Sequence, residues 1–381
     1  MRKSWLYILG LVVATLVALG LIVLFSASEI RASMRYHDSL FFVKRQLVFI
    51  GVGIFVLVSL AIFDYRNWRN HWGLVAFFSG CIFLALLCVF LYKPINGSQR
   101  WIPLGPVNFQ PAEFAKLVTV IAVAVWLDRA ALKMDKFLDG VFWPVSIIAM
   151  MSLPVFFQPD FGSVMVIGAV GFMLMFVAGS KILHMTPFIA AGAGAFIWKV
   201  ANTPNRMARL FAFTGITIEG AETAAANASH QSQMSLVAIY RGGLFGKGLL
   251  RSMQKQSYLP EAWTDFILAV GAEEMGLLFS VAVIILFFFL FILCLLIASN
   301  AADRFGQLLV LGMTFVIFFP AMFNIGVVCG ALPTKGMALP FFSYGGTHIL
   351  ASFVELGIIF SVGVHTLKEK KRVFQRKNAR A

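Results

Sequence analysis

Charged residues are scarce in this chain of 381 residues, because Asp, Glu, Lys and Arg make up only 13% of it. An ordinary soluble domain carries about 25%. Hydrophobic residues account for 60% and the mean hydropathy is +0.86. The polar residues are too few to cover the surface of so many apolar side chains in water. This composition excludes a soluble globular protein. Most of the chain is therefore expected to lie in lipid.

Acidic residues and cysteines are also few. There are 17 Asp and Glu against 31 Lys and Arg, which gives a formal net charge of +14. Nucleic acid is not the expected partner, since a large share of the basic residues lies in the tail at 368–381, where they would meet an anionic membrane surface. The 4 cysteines lie in or beside apolar runs without ligand spacing, and the 6 histidines are scattered. This pattern excludes a disulfide framework and a Cys or His metal cluster.

Ten apolar runs are long enough to cross a bilayer, which takes about 20 helical residues. They cover residues 5–25, 47–63, 72–91, 112–127, 141–157, 161–177, 183–200, 266–299, 307–329 and 347–367. The first exceeds the apolar core of a usual signal peptide, which is about 7–15 residues, so we interpret it as an uncleaved span rather than a cleaved signal. The eighth is so long that its first turns are expected outside the hydrocarbon. The predicted fold is an all-α polytopic membrane protein forming one domain over residues 1–381.

The distribution of Lys and Arg predicts the orientation. Basic residues are concentrated on the side that holds the N-terminus, which places both tails, 1–4 and 368–381, in the cytoplasm. The outer side then holds 92–111, 158–160, 330–346 and a large loop at 201–265 between the seventh and eighth spans. These segments carry nearly all the unusual polar residues. The Gly-rich stretch at 241–248 has turn chemistry, and it is either a flexible loop or a place where backbone approaches a sugar or phosphate.

Several ionisable residues stand at membrane depth, where charge is costly and usually faces a cavity or a partner. Glu113 and Lys116 are three residues apart, so on a helix they share a face and are expected to contact each other or one cavity. Their role is either a structural ion pair or part of a site. Asp160 follows a proline at the start of a span, where capping the next helix explains it.

Three more acidic residues cluster where the large loop meets the eighth span. Asp265 immediately precedes the apolar run, and Glu273 and Glu274 follow within three turns. An N-cap role is the simpler reading of Asp265. Like charges near a low-dielectric cavity also indicate a cation, a cationic partner or a proton-accepting group.

Two outer basic residues have both an ordinary and a functional interpretation. Lys335 lies in a loop bounded by prolines, and Arg100 stands beside Trp101. Each could contact lipid phosphate at the interface, as in any membrane protein, or a phosphate of a substrate.

The outer strings, taken together and in order, resemble those of the SEDS (shape, elongation, division and sporulation) family of bacterial wall synthesis. They are NGSQRWI at 96–102, QPAEFAK at 110–116, QPDFG at 158–162, YLPEAWTDF at 258–266, LPTKG at 332–336 and PFFSYGG at 340–346. The resemblance implies ten spans with cytoplasmic termini in the bacterial cytoplasmic membrane. The fourth and fifth strings are more similar to the division members than to the elongation members.

The resemblance also implies an activity, a peptidoglycan glycosyltransferase that polymerises lipid II, a disaccharide peptide on undecaprenyl pyrophosphate, at the outer face during division. Its implied partners are a class B penicillin-binding transpeptidase and other division proteins. Asp265 aligns with the family's essential Asp and would take the acceptor's proton, its proton affinity being raised either by burial or by the neighbouring Glu273 and Glu274. The remaining candidates are Lys335 and Arg100 for phosphate, Glu113 and Lys116 for shaping the cavity, and Asp160 and Ser343 for substrate. A divalent cation, Mg²⁺ or Mn²⁺, is a further expectation, although the sequence has no dedicated ligand set.

The chain departs from the family at a few positions. Trp263 replaces a usual His, Leu268 a Phe and Ala112 a Ser, while Thr347 and His348 stand where two Ser are common. The stretch 213–230 is unlike the typical loop. Two rival functions stay open: a flippase of the lipid-linked precursor, which ten spans would suit, and a non-catalytic scaffold for the transpeptidase.

Overall fold

The computed structural model describes residues 2–93, 99–105, 107–203, 207, 213, 222–255 and 259–378. Residues 96–98 of the first string, Tyr258 and residues 214–221 of the unusual stretch 213–230 lie outside these ranges. The first eight helices in chain order are α1 Lys3–Tyr36, α2 Phe41–Ile62, α3 Arg66–Asn70, α4 Trp72–Cys88, α5 Pro111–Arg129, α6 Trp143–Phe157, α7 Phe161–Val177 and α8 Ile182–Ala201. The last four are α9 Glu222–Gly242, α10 Ile267–Ser299, α11 Arg304–Val328 and α12 Gly346–Asn378. Short helical turns cover Val89–Leu91, Ala131–Lys133 and Leu138–Phe142.

Each of the ten predicted spans falls on one of these helices. In the described part of the chain, seven helices are long and apolar enough to cross a membrane. The other three predicted spans correspond to α5, which carries ionisable residues, to α7, which has 17 residues, and to α8. The chain is thus a mostly helical protein with the apolar helices of a multi-pass membrane protein.

Two outer segments differ from the prediction. The segment 92–111 contains a small antiparallel hairpin, in which β1 Ile102–Leu104 pairs with β2 Val107–Phe109. The segment 201–265, predicted as a loop, contains helix α9. The fold is therefore not purely helical, and the large outer segment is not all loop. Neither element follows a strong hydropathy signal, since three-residue strands and a polar helix fall below it.

Helix α5 lies at the centre of the bundle, where it packs against α4, α6, α7, α11 and α12. Most of its residues are buried, including Glu113 and Lys116 in its first turns. A central helix of this kind buries apolar residues on every face, so the two charged side chains in its first turns must be paired inside the protein. This places the ion pair under the cavity described below.

Helix α10 is broken near its start. Gly276 has φ of 86° and ψ of 179°, a conformation that only glycine adopts readily. The backbone groups that the break frees are paired by the preceding segment, because Leu277 N donates to Gly243 O at 2.8 Å and Gly248 N donates to Glu274 O at 2.9 Å. Residues 267–275 therefore form a separate short helix.

Candidate active site

A cavity of about 380 Å³ lies where the predicted outer strings meet. Its lining residues come from the segment before β1, the start of α5, the start of α7, the segment before α10, the 336–338 loop and the start of α12. The charged residues of the lining are Arg100, Glu113, Lys116, Asp160, Glu261 and Asp265. Five of the nine residues singled out from the sequence are thus in one cavity, although they are far apart in the chain.

Asp265 lies against the 336–338 loop. A Cβ added to Gly336 would be 2.5 Å from Asp265 Oδ2, so the absence of a side chain at Gly336 makes room for the carboxylate. The Asn324 side-chain amide donates to both Asp265 O, at 2.7 Å, and Met337 O, at 2.6 Å, which fixes the two segments to each other. The N-cap of α10 is Phe266, whose side chain makes no capping hydrogen bond. Asp265 stands one residue before this N-cap, and its side chain lines the cavity.

The Glu113–Lys116 contact predicted from the sequence is confirmed. Lys116 Nζ donates to Glu113 Oε1 at 2.8 Å, and the two side chains are only 5% and 9% exposed. The second carboxylate oxygen, Glu113 Oε2, is 2.8 Å from His348 Nδ1. Glu355, two turns further along α12, is also buried beside this group. The pair is thus part of a larger buried network that opens into the cavity.

Asp160 has the capping role that its position predicted, and it lines the cavity as well. Its Oδ1 accepts from Ser163 N at 3.3 Å at the start of α7, and Oδ2 accepts from Ser163 Oγ at 2.9 Å. Gln110 Nε2 also donates to Oδ2, at 3.2 Å. Beside it, Arg100 Nη2 donates to Pro159 O at 2.6 Å. These bonds hold the 158–163 turn and the Arg100 guanidinium at one wall of the cavity.

Lys335 lies at the edge of the cavity rather than in its lining. Its Cε is 3.5 Å from the position that a Cβ on Gly162 would take, and Gly162 is a lining residue. Its Nζ is 5.5 Å from the ring centroid of Phe323, within range of a cation–π contact. The ammonium is therefore close to the cavity and surrounded partly by aromatic rings.

Ser343 has a structural role. Its Oγ donates to Thr264 O at 2.6 Å and accepts from Leu339 N at 2.9 Å, and it does not line the cavity. Next to it, Tyr344 N donates to Trp263 O at 3.1 Å. These bonds tie the last string to the segment that carries Asp265, so the serine positions the site rather than lining it.

Glu273 and Glu274 are not brought to the cavity. Glu273 Oε2 accepts from Ser252 Oγ and from Gln254 N, at 2.5 Å and 3.2 Å. Glu274 Oε1 accepts from Lys255 Nζ at 3.1 Å and from Ser26 Oγ at 2.6 Å. The expectation that these glutamates raise the proton affinity of Asp265 lacks structural support, because both are engaged by the 252–255 segment.

Two glycines of the stretch 241–248 pack closely on α10. A Cβ on Gly246 would lie 2.2 Å from Glu274 O, and one on Gly242 would lie 2.0 Å from Ala272 O. These glycines let the chain lie directly against the first part of α10. The interpretation as a flexible loop is not supported at these two positions, and a contact with a sugar or phosphate stays a prediction for the stretch.

Trp263, which replaces the usual His, is held by its neighbours. The Arg31 guanidinium lies 4.3 Å from the Trp263 ring centroid, and the Phe42 ring stacks at 6.2 Å between centroids. Another departure, Thr347, donates from Oγ1 to Asn108 O at 2.9 Å. Leu268 and Ala112 are fully buried. These departures are accommodated by packing around the cavity.

The structure brings His348 and Glu355, for which the sequence predicts no role, to the Glu113 network. The available signal was their spacing. His348, Ser352 and Glu355 are four and three residues apart, which puts them on one face of α12 inside an otherwise apolar run. A polar stripe in a membrane helix is expected to face a cavity or another polar group.

Comparison with known proteins agrees with this arrangement. The family model of cell cycle proteins that covers FtsW, RodA and SpoVE matches residues 6–368. The chain is 35% identical over 360 residues to FtsW of Trichlorobacter lovleyi, named as a peptidoglycan glycosyltransferase, covering 93% of this chain and 92% of that protein.

Two solved structures have the same fold. One belongs to a peptidoglycan synthase complex described as coordinating polymerization and crosslinking, with a TM-score of 0.71, 25% identity and coverage of 94% of this chain and 98% of that chain. The other is RodA of Thermus thermophilus, with a TM-score of 0.67, 26% identity and coverage of 93% and 95%.

Fold and cavity together define a multi-pass helical protein with a charged site at one end of its bundle. The chain belongs to the FtsW, RodA and SpoVE family, which is the family that its outer strings resemble.

Proposed function

We propose that the chain is a peptidoglycan glycosyltransferase that polymerises lipid II at the outer face of the bacterial cytoplasmic membrane. The observation that carries the proposal is the cavity in which Asp265, Arg100 and the Glu113–Lys116 pair meet. Membership of a family whose relatives bear this activity in their names supports it.

The orientation in the proposal has ten spans and both termini in the cytoplasm. Each predicted span falls on a helix, and every charged lining residue comes from a segment predicted outside or from the adjoining first turn of a span. The clustering of these residues in one cavity is what a site at the outer face requires. A transport path would need polar groups along the whole bundle, whereas this cavity is confined to one end.

The reaction needs one proton acceptor and positive charge at the leaving group. The 4-hydroxyl of the acceptor sugar attacks the anomeric carbon of the donor, and the bond from that carbon to the pyrophosphate oxygen breaks. The hydroxyl proton passes to the carboxylate of Asp265. The electron pair of the broken bond leaves with the lipid pyrophosphate, whose charge Arg100 and Lys335 would stabilise. Glu113, Lys116 and Asp160 shape the wall against which the sugars lie.

A divalent cation was expected from the chemistry of pyrophosphate. In the described part of the chain, no group of three His, Cys, Asp or Glu side chains is arranged to hold a metal. The residues present therefore do not form a complete site, and Mg²⁺ or Mn²⁺ would take most of its ligands from phosphate and water. No step of the reaction is assigned to a metal.

The proposal includes a role in division and a class B penicillin-binding transpeptidase as partner, together with other division proteins. Support for the division role comes from the strings at 258–262 and 333–336 and from relatives named FtsW. Support for the partner comes from the structural similarity to a chain of a peptidoglycan synthase complex.

The test is reconstitution of the purified protein with lipid II and its transpeptidase partner, without nucleotide and with and without Mg²⁺ or Mn²⁺. Glycan strands on a gel are the expected product, and the Asp265→Asn variant is the matched control. Translocation of lipid II across vesicles without polymer under any cation condition would instead establish the flippase. Partner binding without polymer or translocation would establish the scaffold.

A further inference from the structure

His348 stands in the first turn of α12 and lines the cavity. Its Nδ1 is 2.8 Å from Glu113 Oε2. An ionised carboxylate only accepts hydrogen bonds, so the proton of this contact belongs to Nδ1. When the imidazole is neutral, its lone pair is therefore on Nε2.

The ring cannot easily turn away from this orientation. Glu113, which holds Nδ1, is itself held by Lys116 at 2.8 Å on its other oxygen, and both side chains are buried. A carboxylate that fixes one ring nitrogen orients the other nitrogen, as carboxylate–histidine pairs do in metal and hydrolase sites. The direction of Nε2 is therefore set by α5 and not by a bound molecule.

Nε2 itself is buried and has no hydrogen-bond partner among the described residues. Leaving a polar atom unpaired in the interior is costly, and such atoms call for an explanation. A second atom of this kind, Arg100 Nε, belongs to another residue of the same cavity lining. Arg100 Nε is a donor, and Nε2 of a neutral His348 is an acceptor. A ligand that pairs both nitrogens would therefore carry both an acceptor and a donor.

We propose that His348 is a positioning residue whose Nε2 accepts a hydrogen bond from a hydroxyl or amide N–H of a sugar bound in the cavity. The inference rests on the proposed function, because that function brings a sugar to this cavity. A phosphate is not the partner of a neutral Nε2, since phosphate oxygens at neutral pH also accept. His348 is one of the positions where this chain departs from the family strings, so the contact would distinguish this chain from relatives that carry a shorter side chain there.

Two substitutions of His348 distinguish the contact made by Nδ1 from the contact proposed for Nε2. In His348→Asn the side-chain amide can take the place of Nδ1 and keep the Glu113 contact, but it lacks a group at Nε2. In His348→Gln the longer amide reaches the Nε2 position and can offer its oxygen as acceptor. His365→Asn, at the other end of the same helix, is the matched control, because its Nδ1 contacts only the helix carbonyl of Ser361 among the described hydrogen bonds.

The measurements are KM and kcat for lipid II with the full-length protein and its partner, together with equilibrium binding of lipid II and the thermal midpoint. For His348→Asn we expect KM to rise about five- to tenfold, the size of one lost hydrogen bond, with kcat within about twofold and an unchanged midpoint. His348→Gln is expected to recover most of the affinity, and His365→Asn to match the wild type.

Equal KM for wild type, His348→Asn and His348→Gln would overturn the inference. So would a fall in thermal midpoint that accounts for the whole loss in both variants, since that is the mark of a structural role. Binding separates this inference from the proposed function. If the wild type bound lipid II without making polymer, polymerase activity would fail, while weaker binding by His348→Asn alone would still support the contact.

Discussion

Two groups of carboxylates lie in or next to the segments predicted outside, and they are satisfied in different ways. Glu273 and Glu274 are closed off, with backbone N–H groups, serine hydroxyls and Lys255 around them. The Lys255–Glu274 pair is 3.1 Å apart and only 2% and 0% exposed. The second group contains Glu113, Asp160 and Asp265, which line a cavity that also holds unpaired nitrogens of Arg100 and His348.

The difference teaches how to separate scaffold from site among acidic residues that look alike in sequence. A carboxylate that accepts from the backbone of a neighbouring segment fixes that segment, as Glu273 fixes 252–254. A carboxylate that lines a cavity, as Glu113, Asp160 and Asp265 do, has room for a ligand, whereas neither Glu273 nor Glu274 lines that cavity. By this criterion the cluster at 273–274 is architectural, although it is only eight residues from Asp265.

The sharpest test of the comparison is Asp265→Asn. We expect polymerisation to fall by 10²-fold or more, because the amide keeps the shape of the side chain but cannot accept the hydroxyl proton at neutral pH. Folding and partner binding should stay intact, since Asn caps a helix about as well as Asp does. The measurement is glycan formed per folded molecule, with Asp265→Glu expected to keep partial activity. Near-wild-type turnover by Asp265→Asn would remove this residue from the mechanism.

The second test concerns the Glu113–Lys116 pair. Reversing one charge leaves two like charges buried 2.8 Å apart, and breaking a buried pair typically costs about 3–5 kcal/mol. Each single reversal is therefore expected to lower the thermal midpoint strongly and to reduce activity with it. The double variant Glu113→Lys with Lys116→Glu should recover more stability than either single variant.

Activity of the same double variant tells whether the pair also serves the site. Because His348 contacts Glu113, we expect recovery of folding to exceed recovery of polymerisation. Full recovery of both would make the pair purely structural. No recovery of stability would mean that each charge meets a separate partner.

The third and smallest effect on chemistry is expected in the closed group. Glu274→Gln removes the charge that pairs Lys255 and should lower the thermal midpoint, since it leaves a buried ammonium without its counter-charge. Polymerisation per folded molecule should stay within about twofold of wild type. A large fall in polymerisation per folded molecule, with an unchanged thermal midpoint, would mean that Glu274 takes part in the reaction. That result would contradict the comparison. Lys255→Met with Glu274→Leu is the control, because removing both charges avoids the unpaired one.

Much of the fold follows from the sequence because the bilayer fixes the length of a span. Phe161–Val177 begins and ends where its apolar run does, and its cap, Asp160, was also predictable. Part of the site was predictable, because an ionisable residue in or beside an apolar run stands out in the sequence. This signal identifies Glu113, Lys116 and Asp265. Long-range pairing is not visible in one sequence. Glu274 therefore looked like a neighbour of the site, and the partnership of His348 with Glu113 was missed.

The break at Gly276 has a consequence for the order in which the protein is made. The groups that close it come from 243–248, a segment that leaves the ribosome shortly before α10 does. Contacts that are local in sequence form early, because little chain entropy is lost in closing them. We therefore expect the break at Gly276 to be closed before α11 and α12 are synthesised. The two later helices would then assemble against a first part of α10 that is already in place.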